Sequence, residues 1–245
     1  MSESTPIAAV ISIGAMARND LWNETKPVRT AHATTTLITA GAHLIIVDPG
    51  LPAVALEQRL AERAGKSAAD ITDVFLTSWR PAHRRALALF PNARWFMSDT
   101  EIATARQLFT VTLANIGSEP DAASELISQD QALLNRFTPA PDKIAPGVDL
   151  FPLGGCTPGQ AGLIVSQPTT TLVVAGGAVA TLEHFLRGKV TPDCYDIKQA
   201  LGSLAEIYEI ADVIIPGYDN QFVNPRSLAA GAGTLGEIEG MGLDL

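Results

Sequence analysis

Two stretches of this sequence follow one plan, and that plan narrows the fold more than any other feature. TLITAGAHLIIVDPG (36–50) and GLIVSQPTTTLVVAGGA (162–178) each read as apolar strand, turn, apolar strand, then a glycine-containing loop. Short β-branched runs bounded by Gly, Pro and polar turn residues are strand signals, and a Gly-bearing gap between two of them signals a hairpin. Any two hairpins share this outline. The alternative is a pseudo-duplicated domain whose two similar halves pack face to face. Neither reading places a linker between the halves, so residues 1–245 read as one domain with a Gly-rich tail from about 227.

Strands and helices alternate around these hairpins. After Pro52, AVALEQRLAERAG carries Leu56, Leu60 and Ala64 at helical spacing and stops at Gly65. ITDVFLT (71–77) reads as a buried strand, RRALALF (84–90) as the body of a helix starting near Ala82, and ARWFM (93–97) as another strand. Ser98 and Glu101 suit a capping box for a helix running toward Ile116. From Asp121 to Phe137, the residues Leu126, Leu133, Leu134 and Phe137 mark an amphipathic helix, punctuated by Pro139, Pro141 and Pro146. VDLFPL, AGLIVS, TLVVAG and VIIP read as strands, and Gln199 to Ala211 as a helix presenting Leu201, Leu204 and Tyr208 on one face.

Composition excludes several classes. A net charge of −9 argues against a general nucleic-acid surface. No apolar stretch approaches the ~20 residues of a membrane helix, and the first residues, MSESTPIAAVISIG, lack the basic and apolar regions of a signal peptide. Two cysteines, Cys156 and Cys194, make no disulfide framework, so a reducing, cytoplasmic location is expected.

Five loops, in order between about residues 34 and 220, resemble the signature loops of the metallo-β-lactamase-fold hydrolases. IIVDPG resembles the first, with Asp48 and Gly50 in place. FLTSWRPAH resembles the second, T-H-x-H-x-D-H; GGCTPG the third, G-H-T-P-G; VVAGGA the fourth, G-D; and IIPGYDN the last, P-G-H. The resemblance implies an α/β fold of αββα type, a four-layer sandwich with the site along one edge where loops of both halves meet.

It also implies a metal centre, and the ligands for one have been replaced. Ser78 and Arg80 stand at the first two histidine positions, Ala82 at the aspartate, Cys156 at the third-loop histidine, Gly177 at the bridging aspartate and Tyr218 at the final histidine. Only His83 remains. Zinc needs three or four Cys, His or carboxylate ligands, and Arg80 adds a fixed positive charge where the dication would sit. No zinc or other cofactor is therefore expected. Without it nothing in these loops lowers the pKa of water from ~15.7 toward 7.

The expected function is that of a catalytically degenerate family member, a binding or regulatory protein using the old pocket. Ser78, Arg80, His83, Cys156 and Tyr218 are the expected ligand-binding residues. The rival is a divergent hydrolase, either metal-independent with Cys156 as nucleophile or holding one unusual metal. Its catalytic candidates are Cys156, His83, Tyr218 and Asp48. The resemblance would place Cys156 near His83, the thiol–base arrangement of nucleophilic catalysis, with Arg80, Arg84 or Arg85 to lower the thiol pKa. The plainer readings are a small buried Cys156 filling vacated space, an aromatic plug at Tyr218 and an Asp48 that accepts loop backbone hydrogen bonds. Arg80, Arg84 and Arg85 form a basic knot, either a solvated face or a site for a small anionic ligand at a helix N-terminus. His32, His43 and His184 lie outside the loops, and Asp193, Cys194 and Asp196 resemble a ligand cluster only superficially, Asp196 being a helix cap. A third class is a structural subunit offering only an interface. Neither nucleic acid nor membrane is an expected partner, and a homo-oligomer is compatible with the chain.

Overall fold

The computed structural model describes residues 5–115 and 122–231. The apolar runs form strands because they are buried on both faces. β1 (Ile7–Ser12), β2 (Thr35–Ala40), β3 (His43–Val47), β4 (Asp73–Phe75), β5 (Arg94–Met97) and β6 (Phe137–Pro139) make one six-stranded sheet in chain order. β7 (Lys143–Ala145), β8 (Val148–Pro152), β9 (Ala161–Ser166), β10 (Thr171–Gly176), β11 (Val213–Pro216) and β12 (Phe222–Val223) make a second six-stranded sheet, also in sequence order.

Alternate residues of each central strand feed different cores, as the two-residue period of a strand requires. Ile45, Val47 and Phe75 meet Leu163, Val165, Leu172, Val174 and Ile215 between the sheets. Their neighbours Ile46, Val74 and Leu76 face outward onto α1 (Ala53–Ala64), α2 (Asp99–Asn115) and α3 (Ala122–Leu134). On the other side, Val173, Ala175 and Ile214 pack against Phe185 of α4 (Leu182–Leu186) and Leu204 and Ile207 of α5 (Ile197–Ile210). The layers run helix, sheet, sheet, helix: the αββα sandwich expected from the loops.

The repeated plan of the sequence has a counterpart in strand pairing. β1·β2 and β2·β3 are antiparallel and β3·β4 parallel. The same order recurs in β8·β9 and β9·β10, antiparallel, and β10·β11, parallel. The C-terminal ends of β3, β4, β10 and β11 therefore open onto one edge of the molecule. Two backbone bonds cross between the sheets there, Ala161 N to Thr77 O at 3.1 Å and Thr34 N to Gly217 O at 2.7 Å.

Several expected elements shift for local reasons. The helix expected from Ala82 is instead two 3₁₀ turns, Pro81–His83 and Leu87–Leu89. Pro81 confines Arg80 to extended backbone (φ −58°, ψ 140°), and the turn relaxes at Arg84 before an α-helical ladder forms. α3 ends at Leu134, and Phe137 opens β6. Leu134 is buried and Leu133 packs on the same core, as expected, but Leu126 is 64% exposed and Ile127 takes its place. On α5 the buried face is Ala200, Ser203, Leu204 and Ile207, leaving Leu201 and Tyr208 substantially exposed. β1, β6, β7, β12 and α4 have no counterpart in the pattern of the sequence, and α6 (Pro225–Gly231) occupies the start of the Gly-rich tail. Ile116, Asp121 and the tail beyond 231 lie outside the described residues. None of the described helices is long and apolar enough to cross a membrane.

Two glycines test the packing in opposite directions. A Cβ on Gly159 would lie 2.0 Å from the backbone nitrogen of Glu101, which cannot yield as a side chain would. Gly159→Ala should lose about 1–3 kcal/mol in urea unfolding. Gly202 lies inside α5, and a methyl group added there would meet nothing within 4 Å. Gly202→Ala should therefore gain up to about 1 kcal/mol of helix propensity. Equal stabilities for the two variants would contradict this packing.

Candidate functional site

The loop after β3 turns at Asp48, which takes a left-handed φ of 51° although it is not glycine. That turn drives its carboxylate into the interior, where it is 1% exposed. Oδ1 accepts from Thr77 N at 2.9 Å and Oδ2 from Thr77 Oγ1 at 2.7 Å. His83 Nδ1 lies 2.9 Å from the same Oδ2 and 3.1 Å from Thr77 Oγ1. A ring nitrogen facing a carboxylate carries the proton, so Nδ1–H donates to Asp48 and Nε2 is left as an acceptor. Tyr218 Oη sits 3.1 Å from Nε2 and donates to it. Burial foremost, with Asp48, Asp193 and Cys156 adding repulsion against the weaker pull of Arg80, pushes the Tyr218 phenol up to about 12. It stays protonated at neutral pH.

Arg80 turns the other way. Its Nη1 meets Asp193 Oδ2 at 2.8 Å, and Nη2 donates to Cys156 O at 2.9 Å and Asp193 O at 3.2 Å. Burial alone would raise the Asp193 carboxyl, but Arg80 and hydrogen bonds including that of Thr191 leave its pKa below the ordinary carboxylate value. The basic knot therefore disperses. Arg84 forms a two-pronged pair with Asp130 at 2.6 and 2.7 Å and lies 4.2 Å over the Trp79 ring, while Arg85 donates to Ala31 O. With only a three-residue 3₁₀ turn after Arg80, the expected helix N-terminus for an anion is not formed.

Cys156 is buried in the third loop, its Sγ 2.6 Å from Cys194 Sγ and 3.3 Å from Gly177 O. No hydrogen bond joins it to His83 among the described residues; both nitrogens of that ring have other partners. The Cys194 hydrogen bond first, and burial next, push the Cys156 thiol well above its ordinary value. Ser78 is 1% exposed and its Oγ has no partner among the described residues. Gly177, at the bridging position, has no left-handed φ, and a Cβ there would meet only Gln160, at 3.4 Å.

Sequence reasoning misses three participants. Asp193 and Cys194, a superficial cluster in sequence, face Arg80 and Cys156; their position just before α5, opposite the third loop, is the available signal. Glu101 has the spacing of half a capping box. Ser98 Oγ does accept from Glu101 N at 3.1 Å, but the Glu101 carboxylate instead accepts from Trp79 N at 2.8 Å, Thr157 Oγ1 at 2.7 Å and Gly159 N at 3.1 Å. It ties the second loop to the third. Asp196 caps α5 as expected, accepting from Gln199 N at 2.9 Å. His32 pairs through its backbone with Ala15, His43 sits 2.9 Å from Asp73, and buried His184 lies between Thr181 and Asp20, all outside the five loops.

Two cavities flank Arg80, which with Pro81 and Asp193 lines both. One of about 430 Å³ runs past Tyr218, Met16 and Arg18. The other, about 510 Å³, is largely apolar, lined by Trp79, Leu108, Phe109 and Ile127. The residues present do not fit a zinc ion of the kind these loops imply. No group of three or more His, Cys, Asp or Glu among the described residues is placed to hold one. The His83 nitrogen that would face a metal is capped by Tyr218.

Tyr218→Phe tests this bonding directly. It leaves Nε2 of a fully buried His83 without a donor and should cost about 1–3 kcal/mol in urea unfolding. Nitrogen NMR of the parent should show His83 protonated at Nδ1. A proton on Nε2 together with unchanged stability would contradict the assignment.

The family model of the metallo-beta-lactamase superfamily matches residues 29–217. Among solved structures the chain is similar to a probable metal-dependent hydrolase from Staphylococcus aureus, with TM-score 0.65, 15% identity, and 90% of this chain and 91% of that one covered. It is similar to AidC, a dizinc quorum-quenching lactonase, at TM-score 0.60, 18% identity, and 88% and 85% coverage. It also resembles an N-acyl homoserine lactone hydrolase with N-hexanoyl-L-homoserine bound, at TM-score 0.60, 17% identity, and 89% and 94% coverage. No curated protein matches the chain in sequence. At such identities the structural likenesses speak to the fold, and the family model covers most of the length: the chain belongs to the metallo-beta-lactamase superfamily.

Proposed function

We propose that this protein is a catalytically degenerate member of its superfamily, a non-catalytic binding or regulatory protein that uses the cleft at the loop edge, in a reducing cytoplasmic compartment. The observation that carries the reading is the bonding of the ligand-position residues to protein partners. Tyr218 donates to His83, His83 to Asp48, and Arg80 to Asp193 and the Cys156 carbonyl. A dication would have to break several of these bonds and sit against a guanidinium that keeps its charge at any working pH.

The ligand is proposed to be small, with an anionic head and an apolar part. Arg80 offers the cation, and its partner Asp193 is exposed at the side chain (56%), so an incoming carboxylate can displace it at modest cost. The apolar cavity beside Arg80 takes the remainder. N-hexanoyl-L-homoserine, held by one of the structural neighbours, combines a carboxylate with an acyl chain and is a suitable probe. Calorimetric titration should show saturable binding that weakens at least tenfold in Arg80→Ala and leaves the compound chemically unchanged. No binding by the parent would overturn the ligand class.

The rival hydrolase draws support from the superfamily itself, since the structural neighbours include lactone hydrolases. The raised Cys156 thiol is a poor nucleophile. Protein purified without added zinc should hold well under one zinc per chain by plasma mass spectrometry and should not turn over β-lactam, thioester or phosphodiester substrates. One tightly bound zinc, lost on replacing His83 and Cys156 together, would establish an unusual metal site. Turnover that survives chelator but vanishes in Cys156→Ala would establish the thiol enzyme.

Restoring the ligands separates scaffold from chemistry. The combined variant Ser78→His, Arg80→His, Ala82→Asp, Cys156→His, Gly177→Asp and Tyr218→His should bind zinc far more tightly than the parent. A Cβ at Gly177 would meet Gln160 at ordinary van der Waals distance, 3.4 Å, and the backbone there is not left-handed, so the start of the new side chain is accommodated. A folded variant with no gain in metal titration would mean that the loops have lost the family's backbone geometry.

A further inference from the structure

We propose that Cys156 and Cys194 are a reversible dithiol–disulfide pair, a modification site whose substrate is a low-molecular-weight disulfide. This goes beyond the binding role and does not rest on it. The sulfurs lie 2.6 Å apart although 38 residues separate them in sequence, and a disulfide bond of ~2.05 Å needs only a small further approach.

Backbone bonds hold the two loops in that register. Asp196 N donates to Gly155 O at 2.9 Å, Tyr195 N to Cys156 O at 3.4 Å, and Cys194 N to Thr191 O at 3.2 Å. Arg80 adds a clamp, bonding Cys156 O and both the side chain and carbonyl of Asp193. The pair is therefore held by main-chain bonds near both sulfurs, which keep the two loops side by side.

The two thiols divide the work by access and acidity. Cys156 is buried, 3% exposed, whereas Cys194 is half-buried. The groups facing Cys194 are Cys156, Thr191, Asp193 and Arg80. The Cys156 hydrogen bond foremost lowers Cys194 to about 7 against the opposing burial and Asp193 charge, with Thr191 and Arg80 helping. Cys194 is thus the attacking thiolate at neutral pH.

The exchange balances in two displacements. Cys194 loses its proton to solvent, and its Sγ attacks one sulfur of RSSR. The RS–SR bond breaks, RS⁻ departs and is protonated, and a mixed disulfide remains on Cys194. With Cys194 capped, the hydrogen bond that most raised the Cys156 thiol is gone. Cys156 then gives its proton to solvent and attacks Cys194 Sγ, expelling a second RS⁻, which is also protonated. The protein loses two hydrogens and two electrons, and RSSR is reduced to two RSH.

The sequence contains only two cysteines, so any intramolecular disulfide must be this one. The full chain, reduced and freed of metal with chelator, is equilibrated in mixtures of reduced and oxidised glutathione, quenched with acid and alkylated. Intact mass should show a species lighter by two hydrogens with no alkylated thiol, reverting fully when reduced glutathione is restored. Its melting temperature should rise by roughly 5–10 °C. Cys156→Ser should stop at the glutathione adduct on Cys194, and Cys194→Ser should remain unmodified. The rate of adduct formation should climb with pH through about 7. The parent accumulating the same stable adduct as Cys156→Ser, keeping both thiols free, or forming only intermolecular dimers would each overturn the proposal.

Discussion

The joining of the first, second and last loops hangs on the buried carboxylate of Asp48. A left-handed residue at the end of β3 turns that carboxylate inward, and its two oxygens fix the main chain and hydroxyl of Thr77 at the end of β4. The same carboxylate sets the tautomer of His83, and the tautomer decides that Tyr218 must donate rather than accept. One anion thus orders three loops in sequence. Its unfavourable burial is offset by these charge-assisted bonds, since a buried polar group without partners is costly.

The fold was legible because its evidence is periodic. Ile45, Ile46 and Val47, or Val173, Val174 and Ala175, cannot be buried on both faces unless sheets and helices stack in four layers. The loops were legible because their order and spacing outlast their ligands. What was not legible is pairing over distance. Nothing local to Arg80 indicates that its partner lies 113 residues away at Asp193. Glu101 satisfies the pattern of a capping box while its carboxylate serves the loops of Trp79 and Gly159. The helix expected after Ala82 failed for a local reason, the backbone restriction at Arg80–Pro81, which the periodicity of RRALALF masked.

The replaced positions also explain one another. A metal centre concentrates positive charge at the mouth of the sandwich, and negative groups from several loops converge on it. In this chain the positive charge is the guanidinium of Arg80, and the convergence is of hydrogen-bond acceptors: Asp193 and the Cys156 carbonyl. Tyr218 closes the rest, its ring edge-on to His83 at 5.8 Å. The site is neither an empty cavity nor a filled core. It is a polar network at the loop positions of the superfamily, held by protein partners.

The two backbone bonds that cross between the sheets, Ala161 to Thr77 and Thr34 to Gly217, give this edge a mechanical character. Each joins a residue of one half to a site loop of the other, so the cleft walls belong to different sheets stitched at two points. The spacing of the two sheets, set by the core that Phe75 shares with Val174 and Leu163, therefore fixes the distance between the cleft walls. The width of the mouth is thus a property of the interior, and side chains that never see solvent share in setting what the cleft can admit.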